Sequence, residues 1–368
     1  MDNLRVIIAG GGTGGHIFPA VAVGHALRRL RPGTQLLFVG AAGKMEMEKV
    51  PLEGFEIVGL DIKGFNRQQL WKNIVLPYKL LKSRWEARRI LKIFQPHAVV
   101  GVGGYASFPV LQAAQGLNIP TLIQEQNSFA GKSNTILARK ASAVCVAYAN
   151  MEKFFPAEKI TITGNPVRKE ISTMDAEPIA AKQAFGLNPE LKTVLVIGGS
   201  QGAKSINEAI DAGLDRLLAA GVQVVWQTGK PYFEQARMRA ADFGAKVIVV
   251  DFIREMASAY AVADVVVSRA GALAIAELCI VAKPVIFVPY PFAAEDHQTS
   301  NAMAVVVNRG AMMIDDNEVK NIVVDKLIEL LGNDKMQADM STHLKQMAIK
   351  DADDRIANKV ISIANQAI

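Results

Sequence analysis

Two segments of this chain run a short apolar stretch directly into a cluster of glycines. Val6-Ile7-Ile8-Ala9 leads into Gly10-Gly11-Gly12-Thr13-Gly14-Gly15-His16, and Val194-Leu195-Val196-Ile197 leads into Gly198-Gly199-Ser200-Gln201-Gly202-Ala203. Without a Cβ the backbone turns sharply and lets a ligand approach closely. The helix-compatible run after the first loop, Ile17 to Leu30, points its first N–H groups at whatever the loop holds, which makes an anion site. One such loop in each half predicts two nucleotide-type α/β domains facing one another across a cleft.

The apolar runs extend this pattern along the chain. Strands are expected at Leu4–Ala9, Gln35–Val39, Glu56–Leu60, Ala98–Val102, Pro120–Ile123, Ala143–Ala147 and Lys159–Ile162. The second half repeats the scheme at Thr193–Ile197, Val222–Trp226, Lys246–Val250, Asp264–Ser268 and Pro284–Val288. These runs are nearly continuous in Val, Ile and Leu, as parallel strands covered on both faces are. Their alternation with helical patterns implies right-handed βαβ units and a doubly wound sheet in each half. Gly164-Asn165-Pro166-Val167-Arg168 closes the first series, and polar, acidic Ser172 to Pro178 follows. The linker is therefore placed near 164–178, with domains at 1–165 and 166–368. The last helical pattern, Asp351 to Ala367, is expected to pack back on the first domain.

At 368 residues, half of them hydrophobic, the chain has room for two domains of ordinary size. A formal net charge of +6 favours an anionic partner. Cys145 and Cys279 lie far apart in apolar surroundings, as expected of a reduced, cytoplasmic protein. The N-terminal residues pass at once into a strand, without the features of a signal peptide. No apolar run approaches the ~18 to 20 residues of a membrane-spanning helix, so a soluble or peripheral protein is expected.

Gly10, Gly12 and Gly15 satisfy the dinucleotide pattern G-x-G-x-x-G, but its partner acid at the end of the second strand is missing: that strand ends Phe38-Val39-Gly40. Gly199-Ser200-Gln201-Gly202-Ala203-Lys204-Ser205 has a superficial likeness to a P-loop. Ala203 stands where the glycine before the lysine is required, which argues against ATP hydrolysis. A third loop, Gly101-Val102-Gly103-Gly104-Tyr105-Ala106-Ser107, also follows a strand. Ligands of open α/β sheets bind at the carboxyl ends of strands, so all three loops are expected to open onto one cleft. The plain alternative for any one of them is a tight strand-to-helix turn.

Six motifs occur in order: Gly11 to His16, Gly103 to Pro109, Glu125-Gln126-Asn127, Gly164 to Arg168, Gly198 to Ala203, and Ser268 to Leu273 with Glu277. Together they resemble the MurG family of bacterial glycosyltransferases, over about residues 4–310. The resemblance implies the GT-B fold: two Rossmann-like, doubly wound parallel-sheet α/β domains with the active site in the interdomain cleft. It implies an inverting enzyme that moves N-acetylglucosamine from UDP-N-acetylglucosamine to the 4-hydroxyl of the muramyl sugar of lipid I. The product would be lipid II, in peptidoglycan biosynthesis, and no cofactor is implied.

The same resemblance assigns residues. Ser200 and its loop amides would meet the pyrophosphate, where a helix N-terminus stabilises the charge on departing UDP. Arg168 would add a guanidinium there. Ile253 would set its backbone against the uracil edge, Ala272 and Leu273 would begin a helix beside the phosphates, and Glu277 would accept from the ribose hydroxyls. Gln298 and Asn301, three apart on one helix face, would touch the sugar hydroxyls. His297 stands beside Gln298 where some relatives carry a second glutamine. In the first half Thr13, Gly14, Gly15 and Asn127 would line the cleft. Inversion needs a base for the attacking hydroxyl. His16, because an unperturbed imidazole exchanges protons near neutrality, and Glu125 are rivals for that role. The ordinary alternatives are a surface salt bridge for Arg168, a core side chain for Ile253, an exposed helix glutamate for Glu277 and a helix cap for His16.

Many sugar-nucleotide transferases hold a divalent metal with Asp-x-Asp. The one such triplet, Asp351-Ala352-Asp353, lies in the last helical pattern, far from any glycine loop. It reads as a solvated face, so no metal ligand is expected.

Between Lys63 and Lys92, nine cations with Glu86 the only acid are interleaved with large apolar residues, among them Trp71, Ile74, Val75, Leu81 and Trp85. Such a mixture suits an anionic bilayer surface. Pro77 is expected to interrupt the helix and push an apolar turn outward. With the resemblance, this places the protein peripherally on the cytoplasmic side of the inner (plasma) membrane, with other cell-wall synthesis proteins as partners by analogy. No DNA- or RNA-binding motif accompanies the basic stretch, so nucleic acid is not an expected partner. Rival readings are a diacylglycerol glycosyltransferase or a UDP-N-acetylglucosamine 2-epimerase on the same fold. From a different class, a non-catalytic sugar-nucleotide-binding protein would keep the loops with an inert His16.

Overall fold

The computed structural model describes residues 3–62, 76–174 and 177–366. The chain divides into two compact units, one formed by 1–168 together with 350–368 and the other by 169–349. The first contains β1 (Arg5–Ala9), α1 (Gly14–Leu30), β2 (Gln35–Ala41), α2 (Glu46–Leu52), β3 (Glu56–Leu60), α3 (Leu76–Phe94), β4 (Ala98–Gly101), α4 (Ser107–Gln115), β5 (Thr121–Glu125), α5 (Lys132–Ala138), β6 (Ala143–Val146) and β7 (Ile160–Ile162). The second contains α6 (Lys169–Ser172), α7 (Pro178–Ala184), β8 (Lys192–Ile197), α8 (Lys204–Ala219), β9 (Val222–Gln227), α9 (Lys230–Ala240), β10 (Val247–Val250), α10 (Met256–Val262), β11 (Val265–Ser268), α11 (Ala272–Val281), β12 (Val285–Phe287), α12 (His297–Val306), β13 (Met312–Met313), α13 (Val319–Leu331) and α14 (Asp334–Met347). The chain then returns to the first unit as α15 (Ala352–Asn365).

In the first unit the described strands form one parallel seven-stranded sheet in the order β3-β2-β1-β4-β5-β6-β7. Its strands lack polar alternation because both faces are covered. Successive side chains point to opposite faces. Val6 and Ile8 therefore pack with Ile17, Leu27, Ile356 and Val360 of α1 and α15, whereas Ile7 and Ala9 pack with Leu91, Leu111 and Leu137 of α3, α4 and α5. Chain direction across the sheet reverses between β1 and β4, which makes the loops after these two strands the ligand-facing pair by topology.

The second unit repeats the plan with a parallel six-stranded sheet, β10-β9-β8-β11-β12-β13. Its reversal lies between β8 and β11. Val194, Val196, Ile206, Ile210 and Trp226 anchor the core on one face of this sheet. Strand β13 was not anticipated: two residues are too short to carry a period.

Helix α15 packs on α1 through Ile356, Val360, Ile363 and Ala364, spaced as one helical face. The acids at its start lie at the surface, Asp351 exposed and Asp353 half-buried, and carry ion pairs. Asp353 and its neighbour Asp354 hold Arg29 at 3.0 and 2.5 Å, and Asp351 pairs with Arg355 at 2.9 Å.

Helix α3 is described from Leu76 and includes Pro77. The expected interruption at Pro77 involves the preceding residues 63–75, which lie outside the described residues. Downstream, Ser83, Ala87 and Leu91 are buried, and the opposite face presents Leu81 and Trp85, 68% and 65% exposed, beside Arg84, Arg88 and Lys92. Trp71, Ile74 and Val75 lie outside the described residues.

Candidate active site

In the first unit the loops after β1 and β4 touch: the Gly11 N–H donates to the Gly103 carbonyl at 3.3 Å. Thr13 precedes α1, Gly14 and Gly15 open it, and His16 lies half-buried in its first turn. The His16 Nδ1 lies 3.2 Å from the Gly11 carbonyl and 3.3 Å from the Thr13 hydroxyl. The sequence-predicted set Thr13, Gly14, Gly15 and His16 is thus one short turn at the carboxyl end of a central strand.

Glu125 ends β5 and is 2% exposed. One of its oxygens accepts from the Asn127 backbone and side chain at 3.1 and 3.2 Å, and the other from Asn134 and the Gly131 N–H at 2.8 and 3.3 Å. Burial pushes its carboxyl above the ordinary carboxylate range, opposed by the Asn134, Asn127 and Gly131 hydrogen bonds. Four donors around a buried carboxylate hold the 126–131 turn in place. The neighbouring Gln124, Gln126 and Asn165 form a buried polar network: Gln124 donates to Asn165 at 3.0 Å, and Asn165 donates to the Gln126 carbonyl at 2.9 Å. Arg168 sits at the end of this unit with its guanidinium carbon 6.0 Å above the Phe18 ring.

In the second unit the glycine loop after β8 precedes α8, and Gly271 precedes α11. Both helices therefore begin at strands flanking the reversal of the sheet, where their N-terminal amides and dipoles favour an anion. Ser200 is exposed at the loop's tip. Gln227 fastens this loop from below. It accepts from the Gly198 N–H at 3.0 Å and donates to the carbonyls of Gly199 and Asp251 at 2.9 and 3.0 Å. Gly202 has φ of 75°, and a Cβ there would lie 1.9 Å from the Thr228 carbonyl oxygen, so no other residue fits the turn.

Ile253 is half-buried beyond β10, beside Phe252, which is exposed. Ala272 and Leu273 form the first turn of α11. Glu277, one turn further, is buried and accepts from the buried Tyr260 hydroxyl at 3.0 Å, so it is no ordinary exposed helix glutamate. Gln298 accepts from the Tyr290 N–H at 2.9 Å, which ties α12 to the loop after β12. Asn301, expected beside it on a sugar-facing surface, is fully buried. Its position three residues along the helix turns it into the packed side, which the spacing alone did not reveal.

Residues 6–146 match the glycosyltransferase family 28 N-terminal domain, and residues 193–356 match the family's C-terminal domain. A Bacteroides fragilis protein named UDP-N-acetylglucosamine–N-acetylmuramyl-(pentapeptide) pyrophosphoryl-undecaprenol N-acetylglucosamine transferase is 50% identical, covering 100% of this chain and 97% of that protein. The chain belongs to glycosyltransferase family 28. A Phocaeicola vulgatus protein of the same name is 48% identical, covering 99% of this chain and 98% of the relative. The crystal structure of Acinetobacter baumannii MurG superposes with a TM-score of 0.81 at 30% identity, covering 98% of this chain and 99% of that one. Within family 28 the chain lies in the MurG branch, and its two Rossmann-like units make the fold GT-B.

Two residues of this family 28 chain escaped the sequence reading although each organises a glycine loop. Glu46 in the first unit is 1% exposed and accepts from the Gly12 N–H at 2.8 Å and the Ala41 N–H at 2.9 Å. Arg269 in the second reaches the carbonyls of Val288 and Pro289, each at 3.1 Å, and the Ser205 hydroxyl at 3.0 Å. Glu46 stands among charged residues of unremarkable spacing, whereas Arg269 lies inside the Ser268 to Leu273 motif, which carried no role for its side chain.

Proposed function

We propose that the chain moves N-acetylglucosamine from UDP-N-acetylglucosamine to the muramyl 4-hydroxyl of lipid I, with inversion, to give lipid II. The reading is carried by one observation: a chain half-identical, end to end, to a protein named for that transfer keeps a glycine loop at the reversal point of each sheet. In this reading the second unit holds the donor. The N-termini of α8 and α11, with Ser200 and the guanidinium of Arg168, take the negative charge that grows on UDP as the anomeric C–O bond breaks. Ile253 and Glu277 meet the uridine, Ala272 and Leu273 lie beside the phosphates, and Gln298 meets the sugar. Asn301 is fully buried, so a part for it at the sugar would need its amide to face the pocket from the packed side of α12. Helix N-termini and Arg168 do the work that a divalent cation does in Asp-x-Asp enzymes, so transfer requires no metal.

The first unit holds the acceptor, with Thr13, Gly14, Gly15 and Asn127 around it. The acceptor hydroxyl attacks the anomeric carbon, UDP leaves with the bonding pair, and the hydroxyl proton passes to His16. Of the two candidate bases, His16 is half-buried in the first turn of α1, whereas Glu125 is buried beneath four donors, which favours His16. The outward face of α3, with Leu81 and Trp85 beside Arg84, Arg88 and Lys92, would rest on the anionic cytoplasmic leaflet where a lipid acceptor is found. No helix of the described residues is long and apolar enough to cross a membrane.

The test is to incubate the purified protein with labelled UDP-N-acetylglucosamine and a short-chain lipid I analogue in EDTA. Label in a disaccharide lipid supports transfer and its metal independence together. Binding of the sugar nucleotide without transfer would defeat the acceptor assignment.

A further inference from the structure

We propose that Glu46 is a positioning residue for the transfer: its carboxylate fills the anion position of the first glycine loop and thereby fixes the orientation and tautomer of His16. The inference rests on His16 being the base, as proposed above.

A glycine-rich strand-to-helix turn in a dinucleotide-binding fold leaves loop N–H groups directed at a bound pyrophosphate, and an acid at the end of the second strand takes the ribose. In this chain β2 ends without an acid, and the carboxylate comes from the start of α2. It turns inward. Oε2 accepts from the Gly12 N–H at 2.8 Å and Oε1 from the Ala41 N–H at 2.9 Å, and the side chain is 1% exposed. One residue therefore pins the loop after β1 to the end of β2. The space for it is made by glycines. A Cβ on Gly11 would lie 2.4 Å from the Glu46 carboxyl carbon, and a Cβ on Gly40 2.5 Å from its Cγ. The loop supplies its own anion, which accounts for a G-x-G-x-x-G sequence that lacks the rest of a dinucleotide site.

The consequence reaches His16 through a single peptide. The Gly11 carbonyl, next to the pinned Gly12 N–H, lies 3.2 Å from the His16 Nδ1. A carbonyl can only accept, so a hydrogen bond to it requires the hydrogen on Nδ1, with the Thr13 hydroxyl at 3.3 Å as a second acceptor; in this proposal the lone pair of the neutral ring is therefore on Nε2. Nε2 is the nitrogen that lies over the second loop, 2.8 Å from where a Cβ on Gly103 would be. The Gly11 N–H meanwhile donates to Gly103 at 3.3 Å. The Gly11–Gly12 segment is thus held by Glu46 on one side and Gly103 on the other, and the Gly11 carbonyl orients the imidazole. Glu46 touches no reacting atom in this account; it acts through the loop.

Two measurements test this. In the unaltered protein, 15N-histidine NMR is expected to show His16 as the Nδ1–H tautomer; an Nε2–H tautomer would overturn the proposal. In Glu46→Gln the amide keeps one acceptor and sets an NH2 against a backbone N–H. We expect kcat to fall roughly 10- to 100-fold, a part of the 10²–10⁴ that a positioned base contributes. KM for UDP-N-acetylglucosamine should stay within about twofold, since the donor is held by the other unit. The His16 tautomer should shift to a mixture. A folded variant with unchanged kcat and tautomer, or one whose loss is mainly in donor KM, would refute the positioning role. If the variant does not fold, the tautomer of the unaltered protein decides. That tautomer can be read without turnover, so a failure here is distinct from a failure of the transfer assignment.

Discussion

The Arg269 guanidinium lies 2.5 Å from one carboxylate oxygen of Asp316, and the Ser205 hydroxyl donates to that same oxygen at 2.5 Å. With the bonds of Arg269 to Val288 and Pro289, this joins the loop after β11, the first turn of α8 and the loop after β12. All three are elements that the donor reading uses. A lysine presents a single ammonium and cannot reach these acceptors together. Arg269→Lys is expected to raise KM for UDP-N-acetylglucosamine while leaving the acceptor KM alone. Arg269→Ala should also cost about 1–3 kcal/mol in denaturant unfolding, because Asp316 and two carbonyls lose their donor. A donor KM indifferent to both changes would remove Arg269 from the donor machinery.

Glu125 makes the opposite kind of prediction, one about stability and pH. Burial raises its folded-state pKa above the ordinary value of 4.5, with the hydrogen bonds from Asn134, Asn127 and Gly131 opposing. Below that ordinary value both states are protonated and the group contributes nothing to the pH dependence. As pH rises past it, the unfolded carboxyl ionises first, so stability falls until the folded carboxyl ionises as well. Glu125→Gln should flatten this part of the stability–pH curve. At neutral pH it should cost about 1–3 kcal/mol, because the new NH2 faces donors. His16→Ala, in contrast, should leave stability nearly unchanged and lower kcat by about 10²–10⁴. Reversal of the two patterns would make Glu125 the base.

Continuous Val and Ile runs made the strands legible, because a strand buried on both faces has no freedom to be anything else: Val6 to Ala9 and Val194 to Ile197 fall in β1 and β8. The glycine loops were legible for the related reason that close approach excludes side chains, as at Gly202. What the sequence did not carry was the direction in which a polar helix residue turns. Glu46 and Glu277 are spaced like solvent-facing acids but are buried, because a backbone N–H and a tyrosine hydroxyl meet them from elements distant in the chain. Asn301 is buried by the same kind of tertiary context.

The two cysteines give a test of the cores that needs no substrate. Cys145 in β6 and Cys279 in α11 are both buried, and desolvation pushes each thiol up to about 12. Thiolate is the reactive form, and at pH 8 almost none is present in either site. A neutral aromatic disulfide reagent is expected to label neither cysteine in the folded protein and both after unfolding in denaturant. Prompt labelling of one equivalent under native conditions would show that its unit opens locally far more readily than a packed sheet should.

The outward face of α3 separates membrane attachment from catalysis. Leu81 and Trp85 lie opposite the buried Ser83, Ala87 and Leu91, so replacing them removes little from the core. Leu81→Glu with Trp85→Glu is expected to change unfolding free energy by no more than about 0.5 kcal/mol per site, as surface substitutions do. Binding to phosphatidylglycerol vesicles in a sedimentation assay should fall sharply, since two apolar anchors are lost and two negative charges face an anionic surface. Replacing Arg84, Arg88 and Lys92 by serine should weaken binding by about 1 kcal/mol per residue and reduce its dependence on salt. Turnover of a short-chain, water-soluble acceptor should be unaffected by either set, whereas turnover of a full-length acceptor in vesicles should fall with vesicle binding. If both acceptors lose turnover equally, α3 serves the acceptor site itself and the membrane reading of this face is wrong.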